Sequence, residues 1–162
     1  MAVIRERGTL NGTGRSRNDR DEDYVIDLCD EILGQVAIRQ ARFEFLRGDS
    51  GRTGRRVYLP VDAFYPELNL VVEYREAQHT MAVAHFDKPD RKTIGGVHRG
   101  EQRRIYDERR RQVLPQHGIV LVEIDCMDLA HDGRFRLSRD KERDRPVVEA
   151  LLANYRRKIG ER

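Results

Sequence analysis

Residues 61–79 read VDAFYPELNLVVEYREAQH, and this stretch decides the fold class. Val57, Leu59, Val61 and Ala63 alternate with other residues, Pro66-Glu67 interrupts, and a third run covers Leu68 to Arg75. Two such runs joined by so short a break predict an antiparallel hairpin. With Pro66 opposite Asn69, the register carries Asp62 to a position facing Glu73. Like charges opposite one another destabilise a sheet, so two acids flanked by Val61, Phe64, Val71 and Val72 demand a compensating cation. Magnesium is the simplest, because it takes one or two carboxylates, keeps several waters and completes its shell with phosphate oxygens; manganese serves equally. The alternative is neutralisation by arginine, either at frayed strand ends or through Arg75, which shares the face of Glu73.

Outward from the hairpin, GDSGRTGRR at 48–56 is a turn rich in glycine and arginine, and Val36 to Leu46 is a first strand whose parity shifts near Gln40, the mark of a bulge. Tyr24, Val25, Leu28, Cys29, Ile32 and Leu33 form a one-face helical stripe ending at Gly34, after acidic N-cap candidates at Asp19 to Asp21. Residues 1–18, mixing glycine, arginine and small polar residues, read as a mobile basic arm. Downstream, 80–99 is a long polar connection expected to act as a lid or substrate loop. A charged helix is predicted over Glu101 to Leu114, closed by Pro115 and Gly118, and the continuous apolar run Ile119 to Ile124 reads as a buried, central strand. A hydrophilic link at 132–144 precedes a last helix expected at about 146–159, with Pro146 in its first turn.

The order is helix, three antiparallel strands, helix, buried strand, helix. It predicts an α/β fold with a mixed sheet flanked by helices, in a single domain over 19–162. Of the 162 residues, 36% are charged and 38% apolar, so a dense charged surface must enclose a small core. A net charge of +3 and a pI near 9.0 suit a polyanionic partner. Only four of the 31 basic residues are lysine, a bias that base composition of the coding sequence would also produce. Cys29 and Cys126 stand far apart with no CxxC pattern, which argues against a zinc site or a disulfide framework. No apolar stretch approaches the roughly 20 residues of a membrane span, nor does the first segment have the length of a signal peptide, so a cytoplasmic location is expected.

The stretch from Val61 to His79 resembles the active-site hairpin of PD-(D/E)xK nucleases, the restriction-endonuclease-like superfamily, and is most similar to the branch related to very-short-patch-repair endonucleases. The elements of that branch match Asp62, Glu73 and His79, then Tyr106-Asp107-Glu108-Arg109-Arg110 at a helix, then the strand from Ile119, and the resemblance spans roughly residues 20–128. It implies a restriction-endonuclease-like core and a magnesium-dependent DNA endonuclease, with a homodimer among its assemblies. Asp62 and Glu73 become metal ligands, joined by Glu31 on the first helix as a further candidate. Where the superfamily has lysine this chain has Arg75, which stays protonated and so cannot serve as a base, though it can hold a phosphate. His79 then becomes the candidate to orient or deprotonate water, with Gln78 beside it, and Lys88 and Lys92 are alternative replacements for the lysine.

Gln102 and Tyr106, four apart and hence on one helical face, resemble the QxxxY element of the recombination-nuclease branch. Arg99, Gln102, Arg103, Tyr106 and Arg110, together with Arg52 and Arg55 of the glycine-rich turn, are the candidate nucleic-acid contacts. DNA is the expected substrate and RNA the alternative. The rival class is a nuclease fold that has lost catalysis and binds nucleic acid or protein, a reading motivated by Arg75.

Overall fold

The computed structural model describes residues 17–76 and 99–160. Residues 1–16 of the expected arm at 1–18, Gln78, His79, Lys88, Lys92 and nearly all of the expected lid lie outside the described residues; the last two residues of that arm, Arg17 and Asn18, instead open the first helix. Helix α1 spans Arg17–Leu33, β1 Ile38–Ser50, β2 Arg56–Tyr65, β3 Leu70–Arg75, α2 Arg99–Gln116, β4 Val120–Asp125 and α3 Lys141–Gly160. The four strands form one mixed sheet in the order β1-β2-β3-β4, antiparallel except for β3 beside β4. Parallel neighbours need a crossover, and α2 lies in the one that joins them. No helix among the described residues is long and apolar enough to cross a membrane.

The predicted stripe of α1 faces the sheet: Val25, Leu28, Cys29, Ile32 and Leu33 are buried, with Ile26 beside them. The helix stops where Gly34 turns to φ +64° and Gln35 N donates to Asp30 O, a closure that glycine permits without strain. With α3, which adds Val148 and Leu152, α1 covers one face of the sheet over Ala63, Tyr65, Leu70, Val72, Tyr74 and Ile124. Each such aliphatic side chain contributes about 1.5–3 kcal/mol by leaving water. The other face is smaller: Phe43, Val61, Phe64 and Val71 pack against Leu114 of α2, with Tyr106 and Val113 at its margin.

The parity shift at Gln40 is present, but its cause is backbone sign. Gln40 adopts φ +52°, so Ile38 and Ala41 reach the same side of the sheet, while the ladder keeps one register from Ile38 to Arg42. Register shifts come later, between Arg42 and Ser50. Across the ladder, Val61 and Phe64 also share a side, so β2 twists where Asp62 stands opposite Gln40.

Two sequence expectations require correction. Strand β4 is not central; among the described residues it pairs with β3 alone and forms an edge. Nor is it buried throughout: Val120 is 39% exposed and Ile124 alone in the strand is buried, while Val122 packs towards the α1–α3 side and Leu121 towards α2. Side-chain hydropathy reports the faces of a sheet, not whether a strand's outer backbone edge is paired. The last helix begins at Lys141 and not near Pro146, which lies inside it. Asp140 caps the helix by accepting from Arg143 N at 3.2 Å, and Glu142 and Asp144 sit favourably in the positive field of its first turn. The charge of 140–145 therefore starts a helix instead of linking two elements.

Candidate active site

Ala63 faces Val72, Phe64 faces Val71 and Tyr65 faces Leu70 across a 3-10 turn at Pro66–Leu68, with Asn69 at φ +47°. That register brings Asp62 and Glu73 together as the hairpin predicts. Beyond Ala63 and Val72 the two carboxylates continue the ladder: Asp62 N donates to Glu73 Oε1 at 3.1 Å, and Tyr74 N donates to Asp62 Oδ2 at 2.8 Å. Each acid is thereby fixed by the other's strand, with Glu73 on the face that α2 covers.

The Glu73 side chain is 13% exposed. Its carboxyl is held well above the ordinary carboxylate range, first by burial and then by the charge of Asp62, with Arg110 and the Asp62 N–H opposing. Among the described residues the nearest cation is Arg110 of α2, whose Nε lies 3.7 Å from Glu73 Oε1. That guanidinium is shared: Nη1 meets Asp107 Oδ1 at 3.2 Å, while Nε and Nη2 donate to Pro60 O at 3.3 and 2.9 Å. The Arg110 guanidinium is thus divided among Glu73, Asp107 and the Pro60 carbonyl. Among the described residues no three His, Cys, Asp or Glu side chains cluster as a metal-binding group. Two carboxylates are nevertheless a donor set that magnesium accepts, with water and phosphate oxygens supplying the rest.

Arg75 does not neutralise the pair. Its Nη1 lies 3.3 Å from Glu123 Oε1, and Arg111 grips the same Glu123 from Nη2 and Nε at 2.9 Å each. The cause is the parallel register of β3 and β4, which sets Glu123 beside Glu73 on the face that Arg75 shares. Among the described residues Arg75 Nε is buried without an acceptor.

Next to the acids, a cleft of about 700 Å³ separates the β1–β2 hairpin from the start of α2, and its lining includes Arg42, Tyr58, Pro60, Arg99, Gln102, Arg103 and Tyr106. Gln102 Nε2 donates to Tyr106 OH at 3.2 Å, as their helical spacing suggests, and Asp49 N donates to the same hydroxyl at 3.2 Å. The contact is close: a Cβ on Gly48 would lie 3.1 Å from Tyr106 Oη, which accounts for glycine there. Arg52 and Arg55 are exposed on the turn beyond Gly51, another residue of the lining.

Glu31 stands apart from this assembly. It projects from α1 to Lys141 Nζ at 2.7 Å and Arg145 Nη1 at 3.3 Å, on the opposite face of the sheet. Arg110, expected only as a phosphate contact, belongs to the acid site. Asp107 and Glu123 join that neighbourhood without having been singled out. Glu123 carried a signal, being the lone charge within the otherwise apolar run Ile119 to Ile124. No family model, curated protein or solved structure matches the chain.

Proposed function

We propose that this chain is a metal-dependent phosphodiesterase that cuts DNA, with Asp62 and Glu73 as its metal-holding acids. One observation carries the reading: two carboxylates from adjacent strands converge, each anchored by the other strand's backbone. The helix, antiparallel meander, crossover helix and parallel strand have the order that the resemblance to PD-(D/E)xK nucleases implies, and they support a restriction-endonuclease-like core.

In this reading Asp62 and Glu73 hold Mg²⁺ or Mn²⁺. The ion, when bound, polarises the phosphate and lowers the pKa of an attacking water. Arg110 keeps one acid and the helix in place. Arg75, positioned by Glu123, presents its unused Nε as a donor to a phosphate oxygen and takes no part as a base. His79 and Gln78 follow directly on β3 in sequence and are the candidates to orient water.

The test incubates the purified protein with plasmid, linear and single-stranded DNA, plus Mg²⁺ or Mn²⁺, beside Asp62→Ala and Glu73→Ala controls. Cleavage confined to the unaltered protein supports the reading, and no cleavage of any substrate overturns it. A second reading, an inactive nuclease fold that binds nucleic acid, is favoured by one contact: Arg75 is tied to Glu123, where the superfamily has a lysine. Calorimetry separates the two, since the nuclease takes up Mg²⁺ in an Asp62-dependent manner and the binding module does not.

A further inference from the structure

Arginines are distributed unevenly in their pairing. Arg39, Arg75, Arg109, Arg110, Arg111, Arg139 and Arg145 each reach a carboxylate. Around the cleft the pattern reverses. Arg99 and Arg103 line it and, like Arg52 and Arg55 on the adjoining turn, have no carboxylate partner among the described residues. Arg42, also in the lining, spends Nη1 on the Tyr58 carbonyl. Asp49, the acid in the wall, is already held by Arg109 at 2.8 Å. Uncompensated guanidinium groups gathered on two walls of one cavity are a site for phosphate, since each bound phosphate releases condensed counterions.

The shape restricts which nucleic acid enters. Helix α2 rests on the hairpin through Tyr106 against Gly48 and Asp49, Arg109 against Arg47 and Asp49, and Arg110 against Pro60. The cavity between helix and hairpin holds about 700 Å³. That is the size of pockets enclosing small organic ligands, roughly 300–1,000 Å³, enough for an extended strand of one or two nucleotides. A duplex, whose major groove alone is about 12 Å wide, lies across such a cleft without entering it. Tyr58 and Tyr106 add aromatic surface to the basic walls, the combination that suits unpaired bases.

The cleft also leads to the acids. Pro60 lines it and stands two residues before Asp62, about 7 Å along an extended strand. One atom, Arg110 Nε, lies 3.3 Å from Pro60 O and 3.7 Å from Glu73 Oε1. A backbone leaving the cleft over Pro60 therefore arrives at the acid pair within about one nucleotide.

We propose that the cleft between the β1–β2 hairpin and the N-terminal half of α2 binds a single strand of DNA and delivers it to Asp62 and Glu73. The delivery rests on the proposed function; the binding does not, because it requires neither metal nor cleavage.

Fluorescence anisotropy in EDTA tests it, using a short labelled oligodeoxynucleotide as a single strand and as a blunt duplex. The single strand is expected to bind about tenfold more tightly. Arg99→Ala with Arg103→Ala removes two phosphate contacts, so affinity falls about tenfold and the slope of log K against log salt shrinks by about 1.4. Val57→Glu, a substitution of a 65% exposed residue in the lining, lowers affinity without touching an arginine. Arg143→Ala, exposed on α3, leaves binding unchanged. Equal or tighter binding of the duplex, or wild-type affinity in both cleft variants, overturns the inference. A protein that cuts DNA without preferring single strands loses this inference and keeps the nuclease. One that prefers single strands and cuts nothing loses the nuclease alone.

Discussion

Asp144 and Glu73 are carboxylates withdrawn from water on opposite faces of one sheet, and their surroundings differ in kind. Asp144, fully buried at the start of α3, accepts from Tyr24 OH at 2.8 Å and from Ala130 N at 2.7 Å, so both oxygens meet fixed donors. Its pull, with burial as the larger cause, raises the Tyr24 hydroxyl far above its ordinary value. Glu73 has one N–H donor and a cation at 3.7 Å, and it faces a second carboxylate. The first arrangement is complete within the protein. The second sets a buried carboxyl beside a like charge, which raises it above its ordinary range and separates it from a structural acid of the Asp144 kind.

The sharpest way to break this contrast is to neutralise each acid without changing its shape. Asp62→Asn and Glu73→Gln should each reduce DNA cleavage by on the order of 10² to 10³-fold, the scale of losing one charge-stabilising group. Both should leave the melting temperature intact or raised. A gel assay and a thermal melt read the two effects. If either substitution unfolds the protein, Glu73 resembles Asp144, and the distinction between the faces fails.

Asp144→Ala should do the opposite. It strands the buried Ala130 N–H and removes the partner of the half-buried Tyr24 hydroxyl, at a cost of about 3 kcal/mol in denaturant unfolding. Cleavage below the melting transition should persist. A loss much under 1 kcal/mol would mean that water replaces the carboxylate.

Acidity gives a third, smaller test. Folding holds the Glu73 proton to a pH above its ordinary value of 4.5. From there up to the folded pKa, the folded state binds more protons than the unfolded chain. Stability in EDTA therefore falls as pH rises, by at most about 1.4 kcal/mol per pH unit, and Glu73→Gln removes that fall. Urea midpoints measured across this window decide it. A variant with the same pH slope as the unaltered protein would show that the Glu73 proton is not the cause.

What could be read from the chain follows the range of the interaction. The facing of Asp62 and Glu73 was legible because a turn at Pro66 to Asn69 sets register locally. The α1 stripe and the break at Gln40 were legible as periodicity. The edge position of β4, the attachment of Arg75 to Glu123 and the reach of Arg110 to Glu73 were not. Each depends on how α2 carries the chain across the sheet, and crossing geometry leaves no local periodic trace. With 27 arginines among 162 residues, composition offers many partners for every acid, and only the packed register selects one. Arg52, Arg55, Arg99 and Arg103 were legible as candidate phosphate contacts, but that they lack carboxylate partners among the described residues shows only in the packed structure.

The smallest expected effect comes from Glu31, the acid that sequence placed in the metal cluster. Its carboxylate is bridged to Lys141 and Arg145, and the Lys141 hydrogen bond, the largest cause, holds its pKa below the ordinary value. A sheet separates it from Asp62, so it has no path to an ion held there. Glu31→Gln should leave the cleavage rate within about twofold, as for an exposed substitution remote from a site. A loss comparable to that of Asp62→Asn would mean that α1 reaches the acid pair in the working state, and the two faces would then share one active centre instead of dividing structure from chemistry.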